Sequence, residues 1–188
     1  IRRRRPGETK DTPDKRQPAQ SVHVDQTTAA SIARVHRHLP ASDVPSLLTK
    51  RFQIINLWRP IHHAAYDFPL ALCDYRSVNP AEDLIPVTLV YPDREGETFW
   101  RQVQSGAQVE VSERHGTGGG RADQMVGVCG RVVNRDVTLI CISFLSFDSI
   151  QDGSAAVLTP HTAFEDPTTP ADALKRESIE LRALVFYD

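Results

Sequence analysis

Apolar residues occur in short runs along the chain, and several runs end at Pro or Gly. Runs that alternate apolar and polar residues, or that are rich in β-branched and aromatic residues, predict strands packed against a core. The predicted strands are residues 21–25, 52–58, 70–73, 83–91, 137–147 and 179–186. This pattern predicts a mainly β protein.

Helical spacing is concentrated before the first long strand. Residues 26–39 carry apolar residues at helical intervals, with Thr27 or Thr28 as a plausible N-cap, and Pro40 stops the helix. Residues 41–48 predict a second, shorter helix. The fold class expected from the pattern is therefore mainly β with a few helices.

The first twenty residues differ from the rest in composition. They are polar, charged and contain proline, so residues 1–20 predict a disordered arm, and 21–188 predict a single domain. The run Arg2 to Arg5 is consistent with a nuclear signal or an anionic-surface contact, but the polar residues after it favour the arm. Because the chain begins at Ile1 and not at Met, we expect it to be a fragment that lacks an N-terminal portion.

Composition excludes several classes of protein. The net charge of −2 argues against a general nucleic-acid binder. No apolar run reaches the roughly 18 residues needed to cross a membrane, and no secretory signal is evident, so we expect a cytoplasmic protein. The three cysteines lack metal-ligand spacing and suggest thiols in a reducing compartment.

Two distant histidines are the strongest chemical signal. His23 and Asp25 are two residues apart, so on a strand they point to the same face while Val24 enters the core. With His161 they would supply the two imidazoles and one carboxylate of a non-haem Fe(II) site. Alternatively, Asp25 caps the helix that begins near Thr27, and a lone His is often structural.

Several longer motifs carry a resemblance to a known family. They resemble the fungal AsaB-type hydroxylase/desaturase family, which includes gibberellin desaturase-like proteins and is similar to the bacterial CmcJ protein. The resemblance covers roughly residues 17–99 and 147–188. It rests on the motifs at 51–61, 68–74, 160–167 and 176–184. It implies a double-stranded β-helix, of the jelly-roll or cupin-like type and incomplete here, that uses Fe(II) and 2-oxoglutarate.

The resemblance also implies roles for individual residues. His23, Asp25 and His161 would bind iron, and Arg176, slightly preferred over Arg182, would bind the far carboxylate of 2-oxoglutarate. Arg182 could instead be a surface charge or pair with Glu180 or Glu177. The substrate candidates are Asn56 and Arg59. Trp58 is expected in the core.

The function implied is hydroxylation or desaturation of a small organic secondary metabolite. The alternative is a non-catalytic binding or accessory subunit with a degenerate oxygenase fold, similar to CmcJ-like proteins that work with a methyltransferase. An accessory enzyme partner is therefore an open expectation. Iron content and 2-oxoglutarate turnover separate the two hypotheses.

Residues 100–146 do not resemble the family. Where relatives carry a Tyr-Asn-Pro-x-His-x-Trp-x-Tyr stretch, this chain has unrelated sequence that includes the glycine-rich run 116–120. Synonymous codons can be chosen for residues 100–111 so that the adjacent frame reads as the family motif. We therefore hypothesise a frame error followed by a retained intron. It predicts an irregular loop over 100–135, a strand over 139–147, and a chain that could keep its metal site and still be inactive.

Overall fold

A computed structural model of the chain describes residues 1–8, 12, 15–101, 125–126 and 141–188. The described strands form two antiparallel sheets. The first sheet contains β1 (Arg2–Arg3), β3 (Phe52–Pro60), β8 (Ile142–Asp148) and β10 (Glu177–Phe186), in the order β1-β10-β3-β8. The second contains β2 (His23–Val24), β4 (Leu70–Cys73), β5 (Leu84–Val90), β6 (Glu95–Arg101), β7 (Met125–Val126) and β9 (His161–Ala163), in the order β5-β6-β2-β9-β4-β7.

The helices are short except for the first. They are α1 (Thr28–His38), α2 (Val44–Leu47), α3 (Pro80–Asp83) and a 3-10 turn at Tyr75–Ser77. Thr27 is the N-cap of α1, and its hydroxyl oxygen accepts a hydrogen bond from the Ala30 amide. In the part of the chain that the structure describes, no helix has the length and apolar character needed to cross a bilayer.

The central strand β3 joins the two parts of the core. Its alternation buries Phe52, Ile54, Asn56 and Trp58 on one face. Two clusters of buried side chains meet this face at opposite ends of the strand. The first contains Val35, Val44, Phe52, Ile54 and Phe147, and the second contains Trp58, Ala65, Leu70 and Phe144. The buried Asn56 between them is the polar exception in this face.

The N-terminal residues differ from the predicted disordered arm. Arg2 and Arg3 pair with Ser178 and Glu177 of β10, and Arg3 also forms a 2.8 Å salt bridge with Glu177. The edge of β10 offers backbone hydrogen-bonding groups that a composition-based prediction does not consider. The expectation of a free arm is therefore wrong for these residues.

Two strands near the candidate site were not predicted. The first is β6, which begins at Glu95, shortly after the predicted strand 83–91, and pairs with β5 and β2. The strand β9 has three residues and directly follows Pro160, so it carries too little pattern for a prediction.

The unusual segment at 100–146 is only partly described. Trp100 and Arg101 belong to the regular strand β6, and β8 begins at Ile142 within the predicted 139–147 strand. The predictions for residues 102–124 and 127–140 lie outside the described residues.

Removing a core side chain of β3 tests this account of the fold. Ile54 is fully buried between α1 and β8, so Ile54→Ala should lower the free energy of unfolding by about 2–5 kcal/mol. Leu181, on the paired strand β10, is 61% exposed, and Leu181→Ala should cost less than about 0.5 kcal/mol. Urea denaturation of both variants checks the difference; equal losses would contradict the core assignment.

Candidate metal centre

The pairing of β2 with β9 places the two histidines directly opposite each other. His23 and His161 are antiparallel partners, and their ring centroids are 4.4 Å apart. Asp25 follows β2, and its carboxylate oxygens lie 3.8 Å from Nε2 of His23 and 3.7 Å from Nε2 of His161. One ligand atom from each of the three residues lies within 4.8 Å of the others, so this group could hold a metal ion.

The remaining ring nitrogens define the tautomers. Nδ1 of His23 lies 2.8 Å from the Ser21 carbonyl oxygen, and Nδ1 of His161 lies 3.1 Å from the Thr159 carbonyl oxygen. A carbonyl oxygen only accepts, so each Nδ1 carries the hydrogen and each Nε2 keeps its lone pair. Both lone pairs are therefore available on the side of Asp25, as metal ligation requires.

Burial and charge favour the protonation states that a metal needs. Burial lowers the pKa of His161 and, together with His161 itself, that of His23. Burial acts to raise the pKa of Asp25, but its electrostatic interactions with His161 and with the Arg182 guanidinium outweigh burial and lower this pKa to about 2. The centre therefore combines neutral imidazoles with an ionised carboxylate near neutral pH.

Asp25 is oriented by residues from the other sheet. Nη2 of Arg182 donates to Oδ1 of Asp25 at 2.6 Å, and the Asn56 amide donates to Oδ2. Arg182 also donates to Glu180 at 2.9 Å, and Asn56 donates to the same Glu180 oxygen at 3.3 Å. Asn56, a substrate candidate on sequence grounds, thus contacts the Asp25 carboxylate. The role of Asp25 as helix cap is wrong, because Thr27 occupies that position.

The sequence alone does not identify Glu180 as part of this centre. Its ion pair with Arg182, one of the alternatives open for that arginine, is present. The signal that could have identified it is strand alternation, which places residues 180 and 182 on one face of β10. The register of β10 on β3 sets Arg182 opposite Asn56, and this register places Glu180 and Arg182 near Asp25. No local sequence pattern contains that register.

Arg176 has a different environment. Its side chain is buried, with Nη1 donating to the Phe68 carbonyl oxygen at 2.6 Å and Nε donating to the Ser178 hydroxyl at 3.1 Å. Its guanidinium carbon lies 5.1 Å from the centroid of the Trp58 ring. Arg176 directly precedes β10, whereas Arg182 lies within that strand and contacts Asp25.

The structure does not support Arg59 as a substrate residue. Arg59 is exposed, and it follows the buried Trp58 on β3, so alternation turns it to the opposite face from Asn56 and Trp58. It borders neither of the two cavities near the centre. A substrate role of Arg59 stays a prediction; in this motif it is the inward residue Asn56 that contacts the Asp25 carboxylate.

Two cavities adjoin these residues. A cavity of about 530 Å³ is bordered by His23, Asp25 and Arg182, among others. A second, of about 320 Å³, is bordered by Trp58, Ser178, Glu180 and Arg182. Four arginines, Arg2, Arg16, Arg34 and Arg182, border both cavities, whereas Asp25 borders only the first.

The histidine pKa shifts predict how the metal-free protein responds to acid. The pKa values of His23 and His161 are lowered in the folded state. Below about pH 6.5, therefore, these two histidines bind protons in the unfolded chain more readily than in the folded protein. Stability should therefore fall as pH drops from 7.5 to 5.5, by up to about 1.4 kcal/mol per pH unit for each histidine. Urea denaturation at a series of pH values, in the presence of a metal chelator, measures this change in the free energy of unfolding.

A matched pair of variants tests whether the buried His161 causes this pH dependence of stability. His161→Gln should reduce the slope, whereas His38→Gln, at an exposed position of α1, should leave it unchanged. An identical slope in the wild type and in His161→Gln would contradict the buried neutral imidazole.

Most of the chain matches a known protein family. The model of the Oxidoreductase/YMDC permease-like domain matches residues 1–108 and 134–186. The match continues past residue 100 and resumes at 134, so the stretch unlike the family is narrower than the 100–146 expected from the sequence.

Characterised fungal relatives are similar over most of the chain. The Fe(II)/2-oxoglutarate-dependent dioxygenase nvfI of Aspergillus novofumigatus is 33% identical over 90% of this chain and 53% of its own length. The hydroxylase/desaturase asaB of Aspergillus flavus is 31% identical over 89% of this chain and 69% of its own length. The chain spans between about half and 69% of the length of these relatives.

A solved structure confirms the fold class. The iron and alpha-ketoglutarate-dependent endoperoxidase NvfI superposes with a TM-score of 0.66 at 27% identity, over 98% of this chain and 58% of that protein. The predicted mainly β, double-stranded β-helix fold is confirmed by this similarity and by the two antiparallel sheets. The chain therefore belongs to the oxidoreductase family of the fungal hydroxylase/desaturases and Fe(II)/2-oxoglutarate-dependent dioxygenases.

Proposed function

We propose that this protein is an Fe(II)- and 2-oxoglutarate-dependent oxygenase that hydroxylates or desaturates a small organic metabolite. The observation that carries the proposal is the convergence of His23, Asp25 and His161 on one point between the sheets. The names of the relatives agree with it, and they give no support to the alternative of a non-catalytic accessory subunit.

The donor set fits Fe(II). Two imidazole nitrogens and one carboxylate bind one face of the ion and leave other positions open for co-substrate and O2. Nε2 of His23, Nε2 of His161 and one oxygen of Asp25 would be the protein ligands. When bound, iron with 2-oxoglutarate and O2 would supply the oxidation of an unactivated C–H bond, and the protein would orient the reactants and exclude water.

The second cavity is the proposed site of 2-oxoglutarate. Trp58 and Ser178 border it, and Arg176 contacts both. Nε1 of Trp58 is buried and has no acceptor among the described residues, so a ligand oxygen here would satisfy it. The planar guanidinium of Arg176 suits a carboxylate.

The spacing along β3 supports Arg176 over Arg182 for this role. Trp58 is the same-face neighbour of Asn56, about 7 Å farther along the strand. Asn56 contacts the proposed iron ligand Asp25, and Arg176 lies over Trp58. That separation suits the five-carbon chain of 2-oxoglutarate between iron and Arg176. Arg182 is paired with Asp25 and Glu180, and the proposed role of this ion pair is to orient the iron ligand.

The first cavity is the proposed substrate site, because it borders His23 and Asp25 directly. Its volume of about 530 Å³ is within the range of pockets for drug-sized molecules. The expected cytoplasmic location and the accessory enzyme partner stay predictions.

Loss of a proposed ligand should strongly weaken iron binding. His161→Ala removes one of three protein ligands, so anaerobic titration should show Fe(II) affinity reduced by at least about a hundredfold, with no 2-oxoglutarate-dependent succinate formation. His38→Ala, at an exposed position of α1, is the matched control and should bind iron as the wild type does. Undiminished Fe(II) binding by His161→Ala would contradict the assignment.

Two conservative variants separate the candidate arginines. Arg176→Lys keeps the charge but loses the planar fork, so the apparent KM for 2-oxoglutarate should rise about tenfold or more while Fe(II) binding persists. Arg182→Lys should instead weaken Fe(II) binding, because Arg182 orients Asp25. If Arg182→Lys raises the KM for 2-oxoglutarate and Arg176→Lys does not, the role passes to Arg182.

A further inference from the structure

The cavity of about 530 Å³ beside the metal centre has an excess of positive charge. Three carboxylates border it, from Asp25, Glu95 and Glu97. The six arginines that border it are Arg2, Arg16, Arg34, Arg37, Arg94 and Arg182. The protein as a whole carries a net charge of −2, so this concentration of guanidinium groups is local.

Some of these charges are already compensated. Arg182 is paired with Asp25 and Glu180, and Arg94 forms a 2.9 Å salt bridge with Asp93. Within the described part of the chain, Arg34 and Arg37 of α1 form no salt bridge with a carboxylate. Arg37 is exposed and Arg34 is partly buried, so an anion in the cavity would meet two guanidinium groups that have no carboxylate in direct contact.

Arg34 is held in position by a neutral group. With the Gln26 amide turned so that its oxygen faces the helix, that oxygen accepts from Nε and Nη2 of Arg34 at 2.6 and 3.0 Å. Burial, and then repulsion from Arg182 and Arg37, lower the pKa of Arg34. A partly buried cation among like charges is costly unless an anion joins it.

The same cavity also has an apolar wall. Ala29, Ala30 and Ala33 precede Arg34 and Arg37 on α1, and helical spacing puts Ala30 and Ala33 on the same side as the arginines. Leu89 and Trp100 border the cavity as well, and Trp100 is 47% exposed. An occupant would therefore meet apolar surface and guanidinium groups together.

We propose that the substrate of this enzyme is an organic carboxylate with an apolar skeleton, and that Arg34 and Arg37 bind its carboxylate. This rests on the proposed function, since it describes the substrate of that site. Guanidinium groups bind carboxylates through charge-assisted hydrogen bonds, and the alanines leave room for the skeleton. Arg34 and Arg37 are thus specificity residues and not iron ligands; Arg34 borders both cavities, whereas Arg37 borders only the first.

A pair of probes that differ only in charge tests the proposal. Fluorescence titration of the full chain with 1-pyrenebutyrate and with its neutral amide should give tighter binding of the carboxylate. Arg34→Gln and Arg37→Gln should weaken pyrenebutyrate binding about tenfold or more and leave the amide little changed. Arg34→Lys, which keeps the charge, should retain most of the discrimination.

The control for charge is Arg76→Gln. Arg76 is highly exposed, pairs with Asp74 and does not border the cavity, so this variant should bind both probes as the wild type does. Equal binding of the two probes by the wild type, or an unchanged preference in both Arg34→Gln and Arg37→Gln, would overturn the proposal.

Repeating the titration with Fe(II) and saturating 2-oxoglutarate, without O2, separates the two anion sites. Pyrenebutyrate should still bind. If 2-oxoglutarate displaces the probe and Arg34→Gln weakens 2-oxoglutarate binding, Arg34 belongs to the co-substrate site and the proposal fails. Iron binding by the wild type is measured in the same samples, so failure of the proposed function shows as loss of the iron signal, not as loss of charge discrimination.

Discussion

The carboxylate of Asp25 links the two sheets through hydrogen bonds and an ion pair. Asp25 directly follows β2 of the second sheet, whereas its partners Asn56 and Arg182 come from β3 and β10 of the first. The pairing of His23 with His161 then brings both imidazoles to the same carboxylate. The geometry of the metal centre therefore depends on the register of both sheets at once.

This arrangement has an energetic cost that the contacts offset. A buried carboxylate is stable only when paired and hydrogen-bonded, and Asp25 accepts from Arg182 on both oxygens and from Asn56 on Oδ2. The imidazoles are held neutral by burial and oriented by backbone carbonyls. A cation that enters would find its ligands already in the required protonation states, so little reorganisation remains for binding.

Local pattern predicted the parts of the fold that have local causes. Alternation and β-branched residues identified β3 and β10, and the cap at Thr27 with the stop at Pro40 identified α1. The His-x-Asp spacing identified two candidate ligands because alternation places them on one face. Long-range register brings these two ligands next to His161, and it also gives Arg176 and Arg182 different contacts. No local pattern contains this register.

The arginine-rich start of the chain illustrates the same limit. A run of four arginines among polar residues has the composition of a solvated arm. Pairing with the edge of β10 supplies backbone hydrogen bonds, Arg3 adds a salt bridge to Glu177, and the Arg4 guanidinium lies 4.1 Å from the centroid of the Phe68 ring. These contacts hold Arg2 at the border of both cavities. Charges that composition assigns to solvent therefore add to the positive potential around the metal centre, where an anionic ligand benefits from them.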